Sequence, residues 1–470
     1  MAGIGFKLQK IARQQGLFSG FSAYGHAAVI VAGPWIFTII AVALISISTE
    51  KRLGIESLAN FRIVLIYAFA LSIIATAPVV IIATRMVSDM FHARSFDRVS
   101  HVLFAALFFG LLLTGLASFL VLVVYFNIDR HYLPPAIFIN CLIALIWIVL
   151  AFSGAIRDYA AITIGFAVGL SISIMLAIWS AGRGGQPIDL LWAFSVGLCF
   201  TFFWILVRIL RTFQDAIQAP FSALRLMLRV TRQHWILAVG SLISMIAVWA
   251  DKFVMWIAPT GEKLAVGLVH APIYDSAMFL AYLVIIPSLA SFMIHIETNF
   301  FLRFKVLHKA IENHATLKQI EDLTRQLATS TQKGLWQILL VQGLFCLLAI
   351  FMAPLIIEHF NFQFRQISIF RIGIIGALFQ FLFLASSSTL LFLNQNKDYL
   401  KLQLLFLFLN TVFTVVTLHF ESIYLGYGYL GASVVSGLVA YLLLENRLDN
   451  LQFHIFHMAA TRSGENDWMR

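Results

Sequence analysis

The residues best placed to do chemistry are ionisable side chains inside long apolar stretches, because an ionised group near a bilayer centre costs about 2.5–3.5 kcal/mol to insert. Asp251 and Lys252 stand side by side in such a stretch. Their opposite charges compensate in part, but consecutive residues do not share a helix face, so each wants a further partner. Lys252 can also snorkel toward an outer interface. His26 lies in the first apolar stretch, where a packing histidine is the plainer reading. Arg85 and Asp89 are four apart and suit an interfacial i,i+4 pair. Asp275 opens a later stretch that His295 and Glu297 close, and its carboxylate suits a helix N-terminus. A proton or sodium relay needs carboxylates at mid-depth, and the first six stretches have none there. Charges confined to the two mouths of an apolar bundle favour a large, weakly charged substrate. His26, Arg85, Asp251, Lys252 and Asp275 are the candidates for lining its path.

Other chemistry finds no support. A phosphate loop of the Gly-x-x-x-x-Gly-Lys type is absent, and Gly182-Arg183-Gly184-Gly185 reads as a loop between apolar stretches. His295 with His308, or His454 with His457, lacks the cysteines and carboxylates of a zinc site. Ser386-Ser387-Ser388 suits close helix packing. The 44 phenylalanines face lipid or fill gaps between helices, and some could line a sugar path. No catalytic residue, metal or cofactor is expected.

The elements that must position these groups follow from composition. Of 470 residues, 61% are hydrophobic and 11% charged, with a mean hydropathy of +0.91. A soluble chain has about 25% charged residues, so too little polar surface exists here to cover a water-soluble fold. Twelve stretches of at least 18 residues contain no Asp, Glu, Lys or Arg: 14–49, 63–84, 99–128, 131–156, 159–182, 190–207, 233–250, 276–296, 334–357, 372–396, 402–420 and 422–444. About 18 such residues already make a candidate span. The seventh is expected to continue past Asp251 to Ile257. These stretches are twice as long as barrel strands and apolar on every face, so helices are the solution. The chain is thus read as an all-α polytopic membrane protein.

Lysine and arginine orient it. With the N-terminus inside, 23 of the 32 basic residues face the cytoplasm, the asymmetry of a correctly counted topology. Both termini are then cytoplasmic, and the protein belongs in a bacterial inner membrane. The net charge of +10 follows from this bias and suits anionic headgroups rather than nucleic acid. Cys141, Cys199 and Cys346 lie inside spans, so no disulfide framework is expected. A cleavable signal is not expected either.

Six spans on each side give lobes at residues 1–207 and 234–446, a linker at 208–233 and a tail at 447–470. In the linker, Arg208, Arg211, Arg225, Arg229 and Arg232 recur at helical spacing, and Pro220 divides it into two short interfacial helices. The loop 297–333 reads as an extension of span eight to about Lys309, then a helix near Thr316–Thr329. Its stripe Leu317, Ile320, Leu323, Leu327 must fold back on the protein or meet a partner. The linker arginines, Lys309 and Arg325 are the candidates for docking a subunit or anionic lipid. Pro78 precedes Met90-Phe91 by the same 12 and 13 residues that separate Pro287 from Asn299-Phe300, and His26 precedes Pro34 as Asp251 precedes Pro259. Paired proline-interrupted spans point to repeat transporters.

The opening Met1-Ala-Gly-Ile-Gly-Phe6 with Lys7-Leu8 and Lys10, the Gly33-Pro34-Trp35 turn and the Trp249-Ala-Asp-Lys252 segment resemble the Pel exopolysaccharide transporter family. Ala32 stands where that family more often has serine. The resemblance implies the fold of the multidrug/oligosaccharidyl-lipid/polysaccharide flippases, with two six-helix lobes around a cavity. It implies export of an N-acetylgalactosamine-rich, partly de-acetylated polymer. It also implies a cytoplasmic UDP-sugar glycosyltransferase, a membrane-anchored cyclic di-GMP receptor and an accessory subunit as partners. The alternatives are an ion-coupled small-molecule or lipid-linked oligosaccharide flippase, and a non-transporting synthase scaffold.

Overall fold

The computed structural model describes residues 17–93, 98–156, 158–214, 220–259, 261–360, 362–420 and 424–451, with the side chains of 17–32, 155, 159 and 297 left aside. The hexapeptide of the resemblance and the basic residues beside it lie outside this set. Among the described residues twelve helices are long and apolar enough to cross a membrane, and each overlaps one of the uncharged stretches. Backbone groups in hydrocarbon must be satisfied within their own segment, which leaves the helix as the economical choice.

In order these are α1 (Leu17–Leu53), α2 (Ile55–Ala93), α3 (Val99–Ser118, prolonged by a π-helical turn Phe119–Tyr125), α4 (Leu133–Ile156), α5 (Tyr159–Gly182), α6 (Pro187–Thr212), the short α7 (Pro220–Gln233) and α8 (Trp235–Ile257). A hairpin of β1 (Glu262–Lys263) and β2 (Val269–His270) follows. Then come α9 (Pro272–Leu283), α10 (Ile286–His295, passing through a π-helical turn Ile296–Phe300), α11 (Phe301–Glu312), α12 (Leu317–His359), α13 (Gln366–Phe392), α14 (Asn396–Thr417) and α15 (Tyr427–Asp449). Span seven ends at Ile257, as its sequence predicts.

The chain forms two compact units. One holds residues 29–276 and 403–419, and the other holds 277–402 with the described parts of 1–28 and 420–470. In the first unit α5 and α6 meet along small residues. The Ser173 hydroxyl donates to the Phe194 carbonyl at 3.1 Å and Thr201 to that of Gly165 at 3.0 Å. A Cβ on Gly169 would collide with the Gly197 carbonyl, and one on Gly197 with that of Gly169, so backbones touch here. The hairpin turns at Gly267, whose φ of +96° an L side chain rarely adopts, and pairs Glu262 with His270. Val266 and Leu268 are fully buried beneath it.

In the second unit α13 packs closely on α15, and the Tyr429 hydroxyl donates to Gln380 at 2.5 Å. Span eight breaks between α9 and α10, because Pro287 has no N–H to give and clashes with the preceding turn. The break frees the Val284 carbonyl, which accepts the Gln342 side-chain amide of α12 at 3.0 Å, while Ser288 hydrogen-bonds the same glutamine's oxygen. Pro34 and Pro78, by contrast, lie inside continuous helices. The interruption predicted for a pair of spans is thus confined to span eight.

Two loop expectations are corrected. Arg208 and Arg211 sit on the last turns of α6, and Pro220 starts α7 rather than splitting a longer element. A proline at the first helical position forfeits only an N–H that has no intrahelical acceptor. Likewise no separate helix spans Thr316–Thr329. Thr316 caps α12, accepting from Gln319 N–H at 3.4 Å, and α12 runs unbroken for 43 residues. Ile320 and Leu327 are buried within the unit, so that part of the apolar stripe folds back on its own protein, while Leu317 stays exposed.

Candidate functional site

The first unit contains a buried polar centre built from α8, α9 and α14. Asp251 on α8 is fully buried. Its carboxylate accepts Lys252 Nζ at 3.1 and 3.2 Å, the Tyr274 hydroxyl at 2.8 Å and Asn410 Nδ2 at 3.5 Å. Asn410 also donates to the Ala247 carbonyl at 2.9 Å. The neighbours in sequence therefore do pair: the lysine side chain curls back while retaining 12% exposure. Its ammonium also lies 5.8 Å from the centre of the Trp249 ring.

Asp275 forms a second centre one helix turn past Pro272. One carboxylate oxygen accepts Trp256 Nε1 at 2.8 Å and the Ala271 N–H at 3.0 Å, closing the N-terminus of α9 as the sequence predicts. Tyr67 of α2 stacks on Trp256 at 4.6 Å and donates to the Val269 carbonyl at 2.8 Å, and Asn60 accepts the Val266 N–H at 3.2 Å. These contacts fasten the hairpin onto α2. Burial holds the His270 imidazole below its ordinary value, against the pull of Glu262 and with the push of Arg62.

Of the other path candidates, Arg85 meets Asp89 at 3.9 Å as an i,i+4 pair. His26 falls within α1, with its side chain outside the described residues. Among the docking candidates, Arg208 is committed elsewhere. It grips the Asp158 carboxylate at 2.6 and 2.9 Å, and Asp158 also caps α5 by accepting the Ala161 N–H. Arg211 is exposed on α6. Arg225, Arg229 and Arg232 line the open face of α7, whose Ala223, Met227 and Val230 are buried. Phe221 and Leu228 remain exposed beside them, the amphipathic pattern of a helix at a lipid interface.

The second unit holds a polar cleft of about 480 Å³ where α10, its π-helical turn and α11 face α12. Arg303, Arg325, Lys333 and Asp322 supply its charge, and Asn299, Gln326, Thr329, Ser330 and Gln337 its neutral polar groups. His295 lines its inner end at 8% exposure, where a Cβ on Gly334 would strike the imidazole. Lys309 is exposed on α11 outside the cleft. No cluster of three metal-binding side chains occurs among the described residues.

Tyr274, Asn410, Gln342 and the cleft residues Arg303 and Lys333 escape the sequence reading. Asn410 and Gln342 do leave a trace, each being an amide within an uncharged span.

Comparison with known proteins places this geometry. No curated protein matches the sequence. Solved structures do match the fold. An outward-facing multidrug resistance MATE family transporter of the MOP superfamily is 17% identical with a TM-score of 0.63, over 91% of this chain and 96% of that one. An inward-facing form of such a transporter gives 15% and 0.56, over 95% and 99%. A MOP superfamily transporter from Pyrococcus furiosus gives 16% and 0.59, over 91% and 96%. Twelve candidate membrane helices among the described residues, in a MATE-like fold, make this a multi-pass membrane protein. The family model described as "PelG: Putative exopolysaccharide Exporter (EPS-E)" matches residues 1–456. The chain belongs to the PelG family of exopolysaccharide exporters.

Proposed function

We propose that this exporter carries a Pel-type polymer, rich in N-acetylgalactosamine and galactosamine, from the cytoplasm across a bacterial inner membrane. The match to the PelG model over residues 1–456 carries the reading. In it, a cytoplasmic UDP-sugar glycosyltransferase supplies the growing chain, and a membrane-anchored cyclic di-GMP receptor and an accessory subunit complete the assembly. The MATE-like fold supports alternating access, since transporters of that fold occur in outward- and inward-facing forms. Lys252, Arg85, Asp275 and His26 are the proposed contacts along the path. Asp251, fully buried under three donors, is better suited to hold α8, α9 and α14 in register than to touch a sugar.

Deleting the chain tests this. Secreted amino-sugar polymer should vanish while glycosyltransferase activity persists in the membranes, and co-purification should recover that enzyme. Unchanged secretion would overturn the proposal. The MATE likeness also suits an ion-coupled small-molecule flippase, which would instead move a cationic dye in vesicles under a pH gradient.

A further inference from the structure

The polar cleft of the second unit is not accounted for by polymer export. A galactosamine-rich polymer is neutral to cationic, yet among the described residues the cleft carries three cations against the carboxylate of Asp322. No ion pair within 4.0 Å engages Arg303, Arg325 or Lys333 among the described residues. Like charges converging on one concavity repel one another, and an anion relieves that cost.

The histidine adds a second, independent sign. His295 is buried and its Nδ1 faces the Asn299 amide nitrogen at 3.2 Å. The amide donates there, so the neutral imidazole carries its proton on Nε2. That Nε2 is buried without a hydrogen-bond partner among the described residues. A buried N–H without an acceptor is destabilising. Glycine at 334 is the only residue that lets the ring sit there, since any Cβ would collide with it. The imidazole thus packs directly on the Gly334 backbone at the wall of the cleft.

We propose that this cleft binds a phosphate-bearing anion. Arg325 and Arg303 supply forked guanidinium donors and Lys333 a point charge, against a cleft wall that includes the buried His295. Thr329 and Ser330 hydroxyls and the amides of Gln326 and Gln337 complete the shell. At about 480 Å³ the cleft exceeds a single phosphate and suits a diphosphate or a phospholipid headgroup. Both sources share this chemistry: the nucleoside diphosphate that a UDP-sugar-using synthase releases, or an anionic lipid. The anion site stands on the geometry of the cleft and does not depend on which polymer is exported.

The test uses the full chain in nanodiscs, with inorganic pyrophosphate as the soluble probe in phosphatidylcholine and phosphatidylglycerol as the lipid probe. Arg325→Glu with Lys333→Glu reverses the charge, Thr329→Trp fills the cleft without altering charge, and Lys305→Glu reverses an exposed cation outside it. Elution profile and helicity report that each variant is folded. Pyrophosphate binding that falls at least ten-fold in the first two variants, weakens with salt and persists in the third supports the site with a soluble ligand. Retention of phosphatidylglycerol by the parent in native mass spectrometry, lost in the same two variants, supports it with a lipid headgroup. Binding of neither probe by the parent, or binding equal in all four proteins, overturns it. Polymer secretion is measured separately, so failure here leaves the export reading standing.

Discussion

At the scale of single residues, Asp251 and Lys252 form the buried ion pair on which the α8–α9–α14 junction rests. Removing one partner of such a pair costs about 3–5 kcal/mol, mostly through the charge left behind. Asp251→Asn should therefore lower the thermal midpoint of the detergent-solubilised protein by several degrees, read by circular dichroism. Asp251→Asn with Lys252→Met should recover much of that loss, and equal midpoints for parent and single variant would show that the pair is not structural. Charge inside an apolar stretch made Asp251, Lys252 and Asp275 legible from sequence. Tyr274 was not, because a phenol interrupts no uncharged run, and Asn410 left only the faint trace of an amide within one. Arg208 was legible as a cation but not as the partner of Asp158, 50 residues away, since only the fold brings them within 2.6 Å.

At the scale of elements, two contacts decide how helices associate without a hydrophobic driving force between them. Gly169→Leu pushes a side chain into the Gly197 carbonyl, so α5 must part from α6. The expected result is a marked loss of monodisperse protein on size exclusion, whereas the same change at Gly115, which faces open space, should be tolerated. Gln342→Leu leaves the Val284 carbonyl of the span-eight break unsatisfied, a loss of about 1–3 kcal/mol. A lower thermal midpoint should reveal it, and Gln342→Asn should rescue little because its amide is one methylene short. Helix positions were readable because hydrocarbon permits few alternatives. The hairpin was not, since four paired residues and a positive-φ glycine leave a weak pattern in a stretch too short to span. Helix ends at the interface were also obscured, because cap chemistry permits Pro220 and Thr316 either to break an element or to begin one.

At the scale of the whole molecule, the bias of basic residues gives an orientation that labelling can check. In a background with Cys141, Cys199 and Cys346 replaced, Lys263→Cys in the hairpin should react with an impermeant maleimide on intact spheroplasts. Lys309→Cys on α11 should react only after the membrane is opened. Reversed labelling would invert the topology and move the polar cleft to the other side. Helix α12 has a mechanical consequence of its own. At about 1.5 Å per residue its 43 residues reach about 64 Å, roughly twice the thickness of the hydrocarbon layer. Most of the excess belongs to its N-terminal part, so the helix is a lever whose long arm lies outside the bilayer. A tilt of about 10° at the midplane sweeps the far end through about 8 Å. A spin label at the Thr316 cap would therefore magnify small rotations of the buried half into distances that pulsed spectroscopy resolves.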